Sequence, residues 1–238
     1  MQEANGAQIN WFRNKYCKSG DKRLKMNEDF KVKVLSYEEL LPGNFVRSYA
    51  SGNKEICGAF IVFEVSDLER EIIYYPVFSE SVGRELIREW DMKLPSKMTV
   101  FIDDGNGGGG GHRDTGERDE QRKKDNRKML LLILLARSMM ILHVKEPEPM
   151  RDPFKRIYDK LLEHKKYNVF ESDIKIVNSA IQSFLKKPIN LDNENFVNLQ
   201  DYIRYLQNQY PNRKLRKFDF DVLRNKMKEA YPDENIVF

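Results

Sequence analysis

The chain has 238 residues, of which 40% are hydrophobic and 33% charged, and its formal net charge is +4 at pH 7. This length fits one large domain or two small ones, and the apolar content is enough for a buried core. A mean hydropathy of −0.67 excludes a protein that lies mostly within a membrane, and 11% aromatic residues argue against complete disorder.

The cysteines and histidines give no sign of a disulfide framework or a metal site. Cys17 and Cys57 are too few for such a framework and stand far from other candidate ligands. None of the three histidines has the spacing of paired ligands on a helix, so we expect no metal and no cofactor. The first residues contain no apolar run of signal-peptide length. We therefore expect free thiols and an intracellular protein, cytoplasmic or nuclear.

Residues 1–104 have the patterns of a small α+β module. Trp11, Phe12 and Tyr16 are spaced for a short amphipathic helix that docks on the rest of the chain. The stretch FKVKVLS alternates as a half-buried strand does, and two apolar runs follow, Ala59–Val65 and Ile72–Phe78. Because a hairpin-sized connection separates these two runs, we predict that they pair antiparallel.

Two further elements complete the predicted amino-terminal module. SESVGRELIREW places Val82, Leu86 and Trp90 on one face of a helix. KMTVFIDD then reads as a closing strand that ends at Asp103 and Asp104. The module is predicted to combine an antiparallel hairpin with a helix.

Residues 105–128 are predicted to be a flexible, glycine-rich and charged connection. A phosphate-binding loop needs a lysine and a serine or threonine after its last glycine, whereas His112 follows the run Gly107–Gly111. Polyglycine has high backbone entropy and no side chains to hold it. So pure a run also fits an artificial replacement of a longer loop. The charged residues after it either extend the connection or form a solvated start of the next helix.

Residues 129–238 are predicted to form an all-helical bundle. MLLLILLARSMMILHV is apolar nearly all round, but Arg137 interrupts it and a membrane span needs roughly 20 apolar residues. We therefore predict the central helix of a bundle and no membrane partner. Four amphipathic helices are predicted around it, in PFKRIYDKLLEHKK, ESDIKIVNSAIQSFLKKP, NENFVNLQDYIRYLQNQYP and FDFDVLRNKMKEAYP.

A basic stretch between the last two predicted helices is the strongest functional signal. Residues 129–238 hold 19 Lys and Arg against 15 Asp and Glu. Cations clustered at a turn suit a phosphate backbone, although a solvated loop explains the same pattern. Lys165 and Lys166 are weaker candidates, because lysines at a helix end also interact with the helix dipole. The candidate contacts in the stretch are Arg213, Lys214, Arg216 and Lys217, with Tyr210 and Phe218 flanking them.

Three functions are consistent with these patterns. The first is a non-enzymatic nucleic-acid-associated protein that binds phosphates through its basic helical half, with DNA and RNA both open. The second is an assembly subunit that shares apolar faces with a protein partner or a second copy. The third is a metal-dependent phosphodiester enzyme, which requires Glu64, Asp103 and Asp104 to converge. The final residues, YPDENIVF, are expected to fray rather than to serve as a docking peptide for a partner.

Overall fold

The computed structural model describes residues 1–50, 54–102, 117–142, 150, 153–163, 167–186 and 196–238. Helices and a small sheet give these residues an α+β fold, as predicted. The contacts among these residues fall into two compact units. The first is formed by Met1–Thr99, and the second starts at Val100. The stretches Asp103–Asp104, Gly107–Gly111 and Lys165–Lys166 lie outside the described residues.

A mixed sheet organises the first unit. Its main path runs β1, β6, β5, β2, with β7 also paired to β5, while β3 and β4 form a separate pair. The predicted antiparallel pairing is confirmed, with Val65 opposite Tyr74 and Ile61 opposite Phe78. The strands are β1 Gln2–Glu3, β2 Lys31–Glu39, β3 Val46–Arg47, β4 Glu55–Ile56, β5 Ala59–Asp67, β6 Ile72–Tyr74 and β7 Val77–Ser79.

Two details of this sheet differ from the prediction. The run Ile72–Phe78 is divided into β6 and β7 around Pro76, because proline has no N–H to donate to a ladder. The closing strand predicted in KMTVFIDD is replaced by two isolated bridges, Glu38 with Met98 and Phe101 with Leu215. Within residues 97–102, the part of this stretch that the structure describes, the two bridges therefore have different partners.

Helices cover the sheet of the first unit and fill its core with aromatic rings. Phe12 is fully buried and stacks on Tyr74, with ring centroids 4.3 Å apart. The predicted docking of Phe12 and Tyr16 is therefore confirmed, with Trp11 partly buried beside them. These helices are α1 Gly6–Phe12, a π-helical turn Arg13–Cys17, α2 Gly20–Leu24, α3 Met26–Asp29 and α4 Glu80–Glu89.

Glycine at position 83 permits α4 to lie directly on the sheet. A Cβ atom there would lie 2.8 Å from the Cβ of Ile61 on β5, closer than two such atoms pack. Leu86 from the same helix is buried, and the Trp90 indole N–H donates to the Leu24 carbonyl at 3.2 Å. The stripe predicted from SESVGRELIREW thus faces the core.

The two cysteines differ sharply in environment. Cys17 is buried, and this burial raises the pKa of its thiol to about 12, whereas Cys57 is exposed. Because the thiolate is the reactive form, we expect native protein at pH 8 to react rapidly with a disulfide reagent at one thiol per chain. Replacing Cys57 with serine should abolish that rapid phase, and denaturation should release two thiols in the wild type. Two rapid thiols in the native protein would contradict this placement.

The second unit is helical, apart from the short bridge at Phe101 and Leu215. Its longest helix, α5, contacts α6, α7 and α9, and Ser138 Oγ lies 2.9 Å from Tyr202 Oη on α8. α5 runs from Glu117, so of the two alternatives for the charged residues after the glycine run, residues 117–128 adopt the helical one. The helices are α5 Glu117–Leu142, α6 Phe154–Glu163, α7 Glu171–Leu185, α8 Leu199–Gln209 and α9 Asp221–Ala230.

None of the helices within the described residues combines the length and the apolar character that crossing a membrane requires.

The final residues are docked, so the expectation that they fray is wrong. Phe238 is 4% exposed, and its ring meets Phe220 edge-on at 6.0 Å. The buried amide of Asn178 donates to the Asn235 carbonyl at 2.9 Å and accepts from the Val237 N–H at 3.1 Å. These hydrogen bonds satisfy backbone groups that would otherwise need water.

Candidate nucleic-acid interface

The basic loop, residues 213–217, lies between α8 and α9, and its backbone is hydrogen-bonded to residues 100–102. The Ile102 N–H donates to the Lys214 carbonyl at 2.8 Å, and the Arg216 N–H donates to the Val100 carbonyl at 3.0 Å. Phe101 and Leu215 lie opposite each other between these two bonds. Residues 100–102 therefore hold the basic loop as a neighbouring strand would.

An aromatic anchor holds the start of the basic loop. Phe101 is 1% exposed, and the Tyr210 ring meets it edge-on at 5.7 Å. The Arg213 guanidinium lies 4.1 Å from the centroid of the Phe101 ring, within the range of a cation–π contact. Through these contacts with Phe101, Tyr210 and Arg213 position the loop. Both residues are among the predicted nucleic-acid contacts.

The four predicted cations differ in exposure. Lys214 and Lys217 are exposed, while Arg213 and Arg216 are half-buried. The two lysines lie on either side of Leu215, the residue that bridges to Phe101. The structure therefore presents two lysines on a fixed backbone.

Helix α5 brings a further cation beside this loop. Lys128 Nζ lies 2.6 Å from Asp219 Oδ2, two residues beyond Lys217. Hydrogen bonds from Lys128 and from the Asp221 backbone hold the pKa of Asp219 below its usual value. Lys124 is exposed one turn earlier on the same helix, where residues four apart are neighbours. The sequence did not single out these lysines as phosphate contacts, because nothing local places this part of α5 beside the basic loop.

Of the predicted carboxylates and the Lys165–Lys166 pair, the structure describes Glu64 alone. Lys165 and Lys166, like Asp103 and Asp104, fall outside the described residues. Glu64 lies in β5 with its Oε1 2.8 Å from Lys33 Nζ. In the part of the chain that the structure describes, no group of three His, Cys, Asp or Glu is placed to hold a metal ion.

The first unit contains a cleft that no pattern in the sequence indicates. Its volume is about 480 Å³, and Arg70 lies over the Trp11 ring at 4.5 Å. The cleft is less suited to phosphates than the basic loop, because carboxylates accompany its cations. Arg70 lies 3.7 Å from the Asp67 carboxylate, and the Asp29 carboxylate accepts a 2.7 Å hydrogen bond from Tyr16 beside Lys15.

Comparison with protein-family models, curated proteins and solved structures finds no match for this chain.

Proposed function

We propose that the chain associates with nucleic acid without catalysing a reaction, and that its basic loop contacts the phosphate backbone. The observation that carries this proposal is the exposure of Lys214 and Lys217 on a loop whose backbone is bonded to residues 100–102. A loop that is ordered before binding loses less conformational entropy when a ligand docks. The hydrogen-bonded backbone therefore favours a role in phosphate binding over the alternative interpretation, a loop that is only solvated.

The expected contact is electrostatic and independent of base sequence. Each lysine that neutralises a phosphate releases condensed counterions, so affinity falls as salt rises. Contacts with phosphates fix position along a strand but carry no sequence information directly. In this proposal the carboxyl-terminal helical half supplies the binding surface, and the amino-terminal α+β module takes no part in it. Single-stranded and double-stranded DNA and RNA are all candidate ligands.

The test is a double substitution, Lys214→Ala with Lys217→Ala, assayed with short labelled DNA and RNA at about 50 mM salt. We expect affinity to fall about tenfold or more, because two phosphate contacts are lost. A matched control is Lys22→Ala with Lys25→Ala, which removes two exposed lysines of the same spacing from α2 and its end. An equal loss in both variants, or no binding by the wild type, would refute the basic loop as the site.

A second candidate function, an assembly subunit, is favoured by exposed apolar side chains of the helical half. Leu162, Phe170 and Val197 are each substantially exposed. Such side chains mark interaction surfaces when they are contiguous, while single ones are common on monomeric proteins. Self-association that persists at high salt would support this candidate, since apolar contacts do not weaken as phosphate contacts do.

A further inference from the structure

One carboxylate stands among the lysines of the proposed interface. Asp219 is the residue two positions after Lys217, and it is ion-paired with Lys128 of α5 at 2.6 Å. The pair lies at the surface, since the Lys128 and Asp219 side chains are 28% and 47% exposed. A phosphate that approaches the basic loop therefore has access to the lysine that Asp219 holds.

We propose that Lys128 is a further phosphate contact, and that Asp219 occupies it until nucleic acid displaces the carboxylate. This inference rests on the proposed function of the basic loop. The displacement exchanges one anionic oxygen for another, so Lys128 keeps a charge-assisted hydrogen bond throughout. No backbone movement is required, because the exchange takes place at the ends of two side chains that both reach solvent.

The two oxygens of Asp219 separate its binding role from its structural role. Oδ2 accepts from Lys128, whereas Oδ1 accepts from the Asp221 backbone N–H at 3.3 Å, at the start of α9. Losing the Lys128 partner therefore leaves the bond at the helix start in place. Exposed ion pairs are screened by salt and contribute little to stability. Exchange of the partner of Lys128 is thus compatible with an unchanged fold.

Once Asp219 is displaced, Lys128 would extend the phosphate-binding surface of the basic loop along α5. Lys124 lies one turn before it and is exposed, so the two lysines form a short basic row on one face of the helix. Because the Lys128 to Asp219 bond places this row next to the basic loop, both elements can follow one strand. The inferred ligand remains a phosphate backbone, and the added contact is again independent of base sequence.

The decisive variant is Asp219→Asn, which removes the negative charge and keeps an oxygen that can accept from the Asp221 N–H. We expect this variant to bind DNA or RNA about threefold more tightly than wild type at about 50 mM salt, with the same salt dependence, because Lys128 contacts a phosphate in both complexes. The matched control is Asp221→Asn, which makes the same charge change two residues away, at a carboxylate paired with Arg224. Its gain in affinity should be clearly smaller.

Repeating Asp219→Asn in a protein that also carries Lys128→Gln shows whether Lys128 is responsible for the gain in affinity. Lys128→Gln keeps much of the side-chain length and removes the charge, so in this background Asp219→Asn should no longer increase affinity. Equal gains from Asp219→Asn and Asp221→Asn, or a gain that persists with Lys128→Gln, would overturn the inference. Failure of the proposed function gives a different result: the wild type does not bind nucleic acid, or its affinity does not depend on Lys214 and Lys217. Circular dichroism melting of each variant confirms that folded proteins are compared.

Discussion

Replacing Phe101 with alanine is expected to lower the free energy of unfolding by about 3–5 kcal/mol, the cost typical of truncating a buried phenylalanine. Phe101 is 1% exposed, packs against Tyr210 and supports the Arg213 guanidinium. Its loss leaves a cavity where residues 100–102 hold the basic loop. Urea unfolding followed by far-UV circular dichroism measures the change.

Ile102→Ala is the matched control for Phe101. The Ile102 side chain is exposed, so we expect this variant to lose less than about 1 kcal/mol of unfolding free energy. Phe101→Ala should also weaken binding of nucleic acid, although it removes no charge, because the loop lysines lose their fixed positions. Equal stability of the two variants would show that Phe101 does not anchor the loop.

Phe12→Ala is the corresponding test of the first unit, again with an expected loss of about 3–5 kcal/mol. Phe12 is fully buried, stacks on Tyr74 and also contacts the rings of Tyr16 and Phe30. Aromatic pairs of this kind contribute beyond the area they bury. The same urea titration, run beside Leu68→Ala at an exposed position, measures the effect. A loss no greater than that of Leu68→Ala would refute the assigned core.

Elements that depend on neighbouring residues were predictable from the sequence. The pairing of β5 with β6 and β7 follows from two apolar runs joined by a short turn, so local pattern was enough. The helices α6, α7 and α9 follow from apolar spacing in the same way. The break at Pro76 was also visible, since proline cannot donate to a strand pair, but the prediction ran the strand through it.

Features that depend on distant residues were not predictable. The final residues dock because Asn178, more than fifty residues earlier, bonds both Asn235 and Val237. No local pattern in YPDENIVF indicates such a partner. The start of α5 was left open for a different reason: residues 117–128 are highly charged and lack apolar periodicity, so their local pattern fits a solvated helix and a connection equally.

The candidate interface was only partly predictable, because it too depends on contacts between distant residues. The basic loop is a contiguous cluster, so its cations were identified from the sequence. The support that Phe101 gives to Arg213 joins residues more than a hundred positions apart. The bond between Lys128 and Asp219 spans 91 positions. Periodicity and composition carry no information on either pairing.

The most direct test of the central claim is the salt dependence of binding, measured with one labelled DNA or RNA from about 50 to 200 mM salt. The proposal predicts that the logarithm of affinity falls linearly with the logarithm of salt concentration, and that Lys214→Ala with Lys217→Ala reduces the slope by roughly 1.8 for duplex DNA. An unchanged slope in that variant, or an affinity that does not respond to salt, would contradict binding of phosphates by the basic loop.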